Sequence, residues 1–345
     1  MILSMRLTGG FEMKALLIGG TGVISTAVSA LAVQAGMELT VLNRGNRSVD
    51  VPAGARVLQG DMEDEAAIRR LLQNERFDVA ANFINFTRPQ VERDIRLFSG
   101  RVGQYIFISS ASAYQKPMSN YLVTESTPLA NPYWQYSRDK IACENCLMDA
   151  YRQSGFPVTI VRPSHTYSRR VPVAIHGEKG SWQVVKRMLE GKPVVVHGDG
   201  LSLWTLTHST DFAKGFIGLM GNVHAIGEAV HITSDETLCW NTIYRIIAGA
   251  LGVEYRPVYL PSTVLARWNP ALEGGLLGDK ANSVVFDNTK LKRLVPGFAA
   301  TVRFDQGARM ALDYMLSHPD EQVEDPVFDL WCDRMVERYR RAFEE

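Results

Sequence analysis

From Lys14 to Arg162 the chain alternates short apolar runs with stretches of helical character, and small residues and glycines close the first run. Lys14–Ile18, Glu38–Leu42, Arg56–Gln59, Asp78–Ile84, Tyr105–Ser109 and Val158–Arg162 read as strands. Thr26–Ala35, the stretch from Asp61 through Leu72, and Trp134–Ser154 read as helices between them. Strands joined through helices at this spacing run parallel, with helices covering both faces of the sheet. The expected fold class is therefore α/β, a doubly wound parallel sheet.

After about Ser168 the pattern changes. Glycine and proline recur at Gly177, Gly180, Gly191, Pro193, Gly198 and Gly200, and short strands mix irregularly with helices through Phe304. The expectation is a smaller C-terminal α/β lobe over the carboxyl edge of the sheet, spanning 169–320, from which the chain is free to return to the first domain, 13–168. Residues 321–345 are expected to end the chain as an amphipathic helix, with Val327, Leu330, Met335 and Tyr339 among its apolar positions.

A chain of 345 residues suits two domains, and 46% hydrophobic with 21% charged residues suits a sizeable buried core. Lys plus Arg and Asp plus Glu both number 37, so no general attraction to nucleic acid or to an anionic membrane is expected. No apolar run approaches the roughly 18 residues of a membrane span, and Met1–Glu12 lacks the apolar centre of a secretion signal. The four cysteines, Cys143, Cys146, Cys239 and Cys332, make no disulfide framework, and a reducing cytoplasm is the expected location. Cys143 and Cys146 form a C-x-x-C without a second pair. They read as packing residues, and no metal is expected.

The segment Gly19-Gly20-Thr21-Gly22-Val23-Ile24-Ser25 follows a strand and opens a helix. A side chain at Gly19 would block the tight turn, and one at Gly22 would hold the backbone away from a pyrophosphate. The helix N-terminus offers free N–H groups and a positive dipole end to that group. Ser25 stands where a third glycine is usual. At the end of the second strand, an acid would bind a ribose 2′-hydroxyl. Here the residues are Asn43, Arg44, Gly45, Asn46 and Arg47, with no acid. Arg44 can grip a 2′-phosphate, which favours NADP over NAD, while the bland reading leaves Arg44 and Arg47 as solvated charges. Asp61, with Met62 behind it, is placed for the adenine, or Asp61 is a helix N-cap. Phe83, Ile84 and Asn85 end the fourth strand, where the backbone would pass the cofactor.

Tyr136 and Lys140 stand four apart on a helix and so share one face. A neighbouring ammonium favours the phenolate, so Tyr136 is the candidate for exchanging a proton with a substrate hydroxyl, and Lys140 can also reach a nicotinamide ribose. About 25 residues upstream, an apolar strand runs into Ser109-Ser110-Ala111-Ser112-Ala113-Tyr114, and sheet topology brings its carboxyl end to the same crevice. Ser110 can there polarise a substrate oxygen. Ser112, Tyr133 and His165 are candidate substrate contacts, with Trp134 and Ser202-Leu203-Trp204 as pocket walls.

With these pieces together, the chain resembles the extended short-chain dehydrogenase/reductases, the NAD-dependent epimerase/dehydratase family. The likeness rests on the GGTGVIS loop, Gly60-Asp61, the SSASAY segment, Tyr136 and Lys140 with Glu144 following, and Val161-Arg162-Pro163. It extends to Gly198-Asp199-Gly200 with His208 and Asp211. The resemblance implies a Rossmann domain and Ser110, Tyr136 and Lys140 as catalytic residues. It also implies hydride transfer with NAD or NADP at a hydroxyl or keto carbon, usually of a nucleotide-linked sugar, and a possible homodimer. Two alternatives stay open: a non-catalytic NADP-sensing or RNA-associated member, and a simple NADPH-dependent carbonyl reductase.

Overall fold

The computed structural model describes residues 13–45 and 51–343. The leading residues through Glu12, together with Asn46 and Arg47, lie outside them. Apart from Arg56–Gln59 at the sheet edge, the apolar runs become largely buried strands, as parallel strands under two helical layers must be. In β1 (Lys14–Ile18) all four residues after Lys14 are buried. It is followed by α1 (Val23–Gln34), β2 (Glu38–Asn43), β3 (Arg56–Gln59), α2 (Glu65–Leu71), β4 (Phe77–Asn82), α3 (Arg88–Phe98) and β5 (Val102–Ile108). The short β6 (Leu122–Val123), α4 (Gln135–Ser154) and β7 (Val158–Pro163) come next.

The second half contributes β8 (His165–Tyr167), α5 (Trp182–Leu189), β9 (Val194–His197), β10 (Leu203–His208), α6 (Ser209–Leu219), β11 (Ala229–Ile232), β12 (Thr237–Cys239) and α7 (Trp240–Leu251). It continues through β13 (Pro257–Leu260), α8 (Ser262–Trp268), the one-turn α9 (Glu273–Gly275), a π-helical turn at Leu276–Lys280 and β14 (Val285–Phe286). The last helices are α10 (Thr289–Leu294), α11 (Phe304–Ser317) and α12 (Pro326–Phe343).

The main sheet has seven parallel strands in the order β11-β7-β5-β4-β1-β2-β3. Strand order reverses between β1 and β4, and a crevice opens there at the carboxyl ends, where ligands bind in sheets of this kind. The chain re-enters this layer late. β11 pairs with β7, and Phe212 and Phe216 of α6 pack in the same cluster as Val28 and Ala32 of α1. Small residues let these layers close: a Cβ on Gly215 would sit 2.9 Å from Ile232 Cγ2.

A second core lies over the carboxyl edge, around Trp182, Trp204, Trp240, Tyr244 and Phe304. The sheet β12-β10-β8 and the pairs β13-β9 and β14-β6 frame it.

Of the four apolar positions expected on the terminal helix, Met335 is buried and Tyr339 packs against the core, but the other two face outward. Val327 and Leu330 are exposed, while Phe328, Cys332, Met335 and Val336 are buried. Arg187, itself buried, reaches Asp329 and Asp333 at 2.6 and 2.8 Å and so fixes the rotation of α12. None of the described helices is long and apolar enough to cross a membrane.

Candidate active site

The first loop of the crevice is tied by its own backbone and by Ser25. Gly19 has φ +80°, and a Cβ there would lie 2.3 Å from Ile84 Cγ2. Ser25 does more than fit. Gly22 N–H donates to its Oγ at 2.7 Å, and that hydroxyl donates to Gly19 O at 3.0 Å. The serine thus closes the turn on itself and starts α1 at Val23, earlier than the expected Thr26. The first N–H groups of the helix, at Val23 and Ile24, have no acceptor within it. A Cβ on Gly22 would meet only Ser25 Oγ, at 3.4 Å, so the space before that glycine is open.

Around this loop, apolar side chains face outward: Val23, Ile84 and Phe86 are 57%, 40% and 46% exposed. Clustered exposed apolar groups in a crevice mark a binding surface. At the end of β2, Asn43 Oδ1 accepts Gly45 N–H at 2.8 Å, while its buried Nδ2 has no partner. Arg44 is exposed. Asp61 is exposed and accepts Glu63 N–H at 3.0 Å. The N-cap of α2 is instead Asp64, which accepts Ala67 N–H, so the helix begins at Glu65. The Met62 side chain points into the core with Leu42 and Ile68 rather than into the crevice. Phe83 packs on Phe216 at 5.4 Å between ring centroids.

The turn after β4 is held from beneath. Asn82 Oδ1 accepts the N–H groups of Ile84 and Asn85 at 2.8 and 3.1 Å. Asp94, buried on α3, accepts from the Asn82 amide at 2.6 Å, the Asn85 amide at 2.8 Å and the Tyr105 hydroxyl at 2.7 Å. The Asn85 side chain is therefore structural, and its carbonyl is what reaches the site. Lys140 Nζ donates to Asn85 O at 2.6 Å and to Ile108 O at 2.7 Å. The ammonium also lies 4.5 Å from the Phe86 ring centroid. Burial lowers the Lys140 pKa to about 8.

Tyr136 lies one turn back along α4, flanked by Trp134 and Phe86 with ring centroids at 5.0 and 6.3 Å. Ser110, just past the end of β5, lies near enough to the phenol to favour its ionised form. The expected acidic phenol is not what the structure holds. Burial raises the Tyr136 pKa, the nearby Ser110 hydroxyl opposes that rise, and Lys140 spends two of its donors on backbone carbonyls. Ser112 is buried behind Ser110: their hydroxyls lie 2.9 Å apart, and Ser112 Oγ accepts from Ser137 at 2.7 Å. Beneath them Glu144 accepts from Ser109 at 2.5 Å and pairs with Arg162.

Tyr133 is half-buried, and its N–H donates to Asn131 Oδ1 at 3.2 Å. His165 faces the second lobe. Its Nδ1 accepts from the Trp204 indole at 3.3 Å, which leaves the proton on Nε2, and burial lowers its pKa to about 3. Asp211 is structural, accepting from Val302 N–H and pairing with Lys214 at 2.7 and 2.6 Å. Cys143 is buried in the core and its thiol is pushed up to about 12. Sequence reasoning missed Asp94, Lys116 and Asp279. None of the three stands in a recognisable motif.

The sequence model of the NAD dependent epimerase/dehydratase family matches residues 15–233. The chain belongs to that family. It is an NAD-dependent enzyme of epimerase, dehydratase or reductase type, as its family places it. Among the family's curated members, it is similar to 2′-dehydrokanamycin reductase of Streptomyces kanamyceticus. Identity is 27% over 290 residues, covering 83% of this chain and 80% of that protein. The chloroplast stem-loop binding protein of 41 kDa b from Arabidopsis thaliana is 25% identical over 272 residues, covering 75% of this chain and 67% of that protein. In fold it is similar to UDP-glucuronic acid 4-epimerase of Bacillus cereus, solved with UDP-glucuronic acid and NAD. The TM-score is 0.70 at 20% identity, over 88% of this chain and 99% of that one.

Proposed function

We propose that this family member interconverts a hydroxyl and a keto carbon on a sugar-like ring, nucleotide-linked or a similar metabolite, with Tyr136 moving the oxygen's proton. The observation that carries the proposal is the convergence of Ser110, Tyr136 and Lys140 beside the β1–β4 crevice. The residues present fit a dinucleotide. The open face of Gly22, the first N–H groups of α1, the outward apolar side chains and the orphaned Asn43 amide all come at or after the carboxyl ends of β1, β2 and β4, which supports that fit. Val23 and Ile24 would hold its phosphates, Asn43 and Arg44 its adenosine ribose, Asp61 its adenine, and Ile84 and Phe86 its flank.

When bound, the nicotinamide supplies or accepts the hydride. The chain supplies everything else. Ser110 donates to the reacting oxygen and orients it. Tyr136, kept neutral by burial, is poised to give its proton to a carbonyl oxygen. Lys140, anchored to Asn85 O and Ile108 O, keeps a third N–H and a positive charge near the phenol. The names of relatives and structural neighbours support a sugar ring as the substrate class. Arg44, in place of an acid, supports NADP over NAD. A reducing cytoplasm fits four free cysteines, and a homodimer fits the family habit.

Tyr136→Phe tests the reading. Isotopic hydride exchange is expected to fall at least about 100-fold, with dinucleotide affinity retained. Full exchange in that variant, or no binding of NAD or NADP to the wild-type protein, overturns it. Arg44→Ala is expected to weaken NADP and leave NAD unchanged. The stem-loop binding relative keeps a second reading in view, an RNA-associated protein without turnover. An inactive wild type that retains a structured RNA would favour it.

A further inference from the structure

Lys116 is 3% exposed, yet its ammonium has one hydrogen-bond partner, the Met118 thioether at 3.4 Å. A sulfur is a weak acceptor for a group with three donors. Asp279, on the π-helical turn, is near enough to act electrostatically on Lys116, but it is already paired with Lys280 Nζ at 3.6 Å. Asn131 Nδ2 donates to Ser112 O at 2.9 Å and to Gly278 O at 2.7 Å, which ties the turn carrying Asp279 to the Ser110–Ser112 segment and places this group of charges near the reacting end of the crevice.

Two ammoniums and one carboxylate leave an excess of one positive charge in a largely desolvated place. Burying a charge is costly unless a counter-charge or a set of hydrogen bonds satisfies it. Burial lowers the Lys116 pKa, as an unmatched positive group requires, and raises that of Asp279 against the opposing pull of Lys280 and Lys116. Access exists. Met118, which touches the ammonium, also lines a surface cavity of about 420 Å³ together with Tyr121, Asn282 and Ser283.

We infer that Lys116, with Asp279 already held by Lys280, is a recognition site for an anionic oxygen group of the substrate. The inference deepens the proposed function, since only that reading puts the reacting ring against Tyr136. Lys116 is then a specificity-determining residue. The carboxylate of an acidic sugar and the diphosphate of a nucleotide-linked sugar offer the same chemistry. A cationic ring such as an amino sugar meets the excess ammonium and is disfavoured.

Calorimetric titration of the full chain tests this, with and without dinucleotide, using four probes: glucuronate, UDP, UDP-glucose and UDP-glucuronic acid. Lys116→Met removes the charge and keeps the chain length, while Lys116→Arg keeps the charge. The expected result is at least a tenfold weaker Kd for an anionic probe in Lys116→Met, partial retention in Lys116→Arg, and unchanged dinucleotide affinity. Loss confined to glucuronate and UDP-glucuronic acid assigns the site to a ring carboxylate, and loss that includes UDP assigns it to the diphosphate. Wild-type affinity of Lys116→Met for all four probes, or no binding of any probe to the wild-type protein, overturns the inference. Failure of the dinucleotide to bind sinks the oxidoreductase reading separately, because the titrations without dinucleotide still report on the anion.

Discussion

Gly19 and Gly22 share a loop and a residue type, but their surroundings separate their tasks. A side chain at Gly19 meets Ile84 and a positive φ, whereas one at Gly22 meets open space. Gly19→Ala is therefore expected to lose about 1–3 kcal/mol of stability, read from a urea midpoint. Gly22→Ala is expected to keep its midpoint and lose dinucleotide affinity, since its new methyl stands where phosphate approaches. Equal stability losses would show that the two glycines do one job. At this scale the sequence revealed residue types in a pattern and little about environment. It offered Asp61 as a cap where Asp64 caps, and an acidic phenol where burial makes a weak acid. Burial depends on side chains distant in sequence, which no local spacing reports.

Among the elements, α3 shows why a helix can escape a sequence reading. Between the fourth and fifth strands the sequence reading names no particular helix. Its buried face includes Arg93 and Asp94 beside Val91, Leu97 and Phe98, so apolar periodicity is broken where it should be strongest. Thr87 before it and Gln90 within it supply the start: Gln90 Oε1 accepts the N–H groups of Phe86 and Thr87 at 2.7 and 3.1 Å. The buried Asp94 then fixes the β4–α3 turn, whose carbonyl anchors Lys140. Asp94→Ala strips the acceptor from two amides and a phenol and leaves Arg93 without its buried neighbour. Its expected cost is roughly 3–5 kcal/mol, with Asp94→Asn losing less. Equal stability of Asp94→Ala and wild type in urea would show that the network holds nothing.

For the whole molecule, buried histidines set a pH dependence. His197 is 1% exposed and burial lowers its pKa from 6.5 to about 4, with His165 and His231 lowered as well. The unfolded chain then binds more protons than the folded one between those values. Stability is full above about pH 6.5 and falls as pH drops toward 4, by on the order of 3 kcal/mol for His197 alone. Urea unfolding at pH 7 and pH 5 checks this, and His197→Gln is expected to flatten the slope. A slope unchanged by that substitution would remove His197 as its source. The tie between halves is also a property of the whole: α6 and β11 come from the second half yet complete the first sheet layer.

What the sequence determined by itself was the alternation of strands and helices, the glycine loop and the Ser110, Tyr136 and Lys140 set, because apolar period and turn chemistry are local. What only the tertiary structure decided was the company these residues keep: the Asp94 network, the charges around Lys116 and the return of β11. Each depends on groups brought together across tens to hundreds of residues, and their energies come from desolvation, which exists only once the chain has packed.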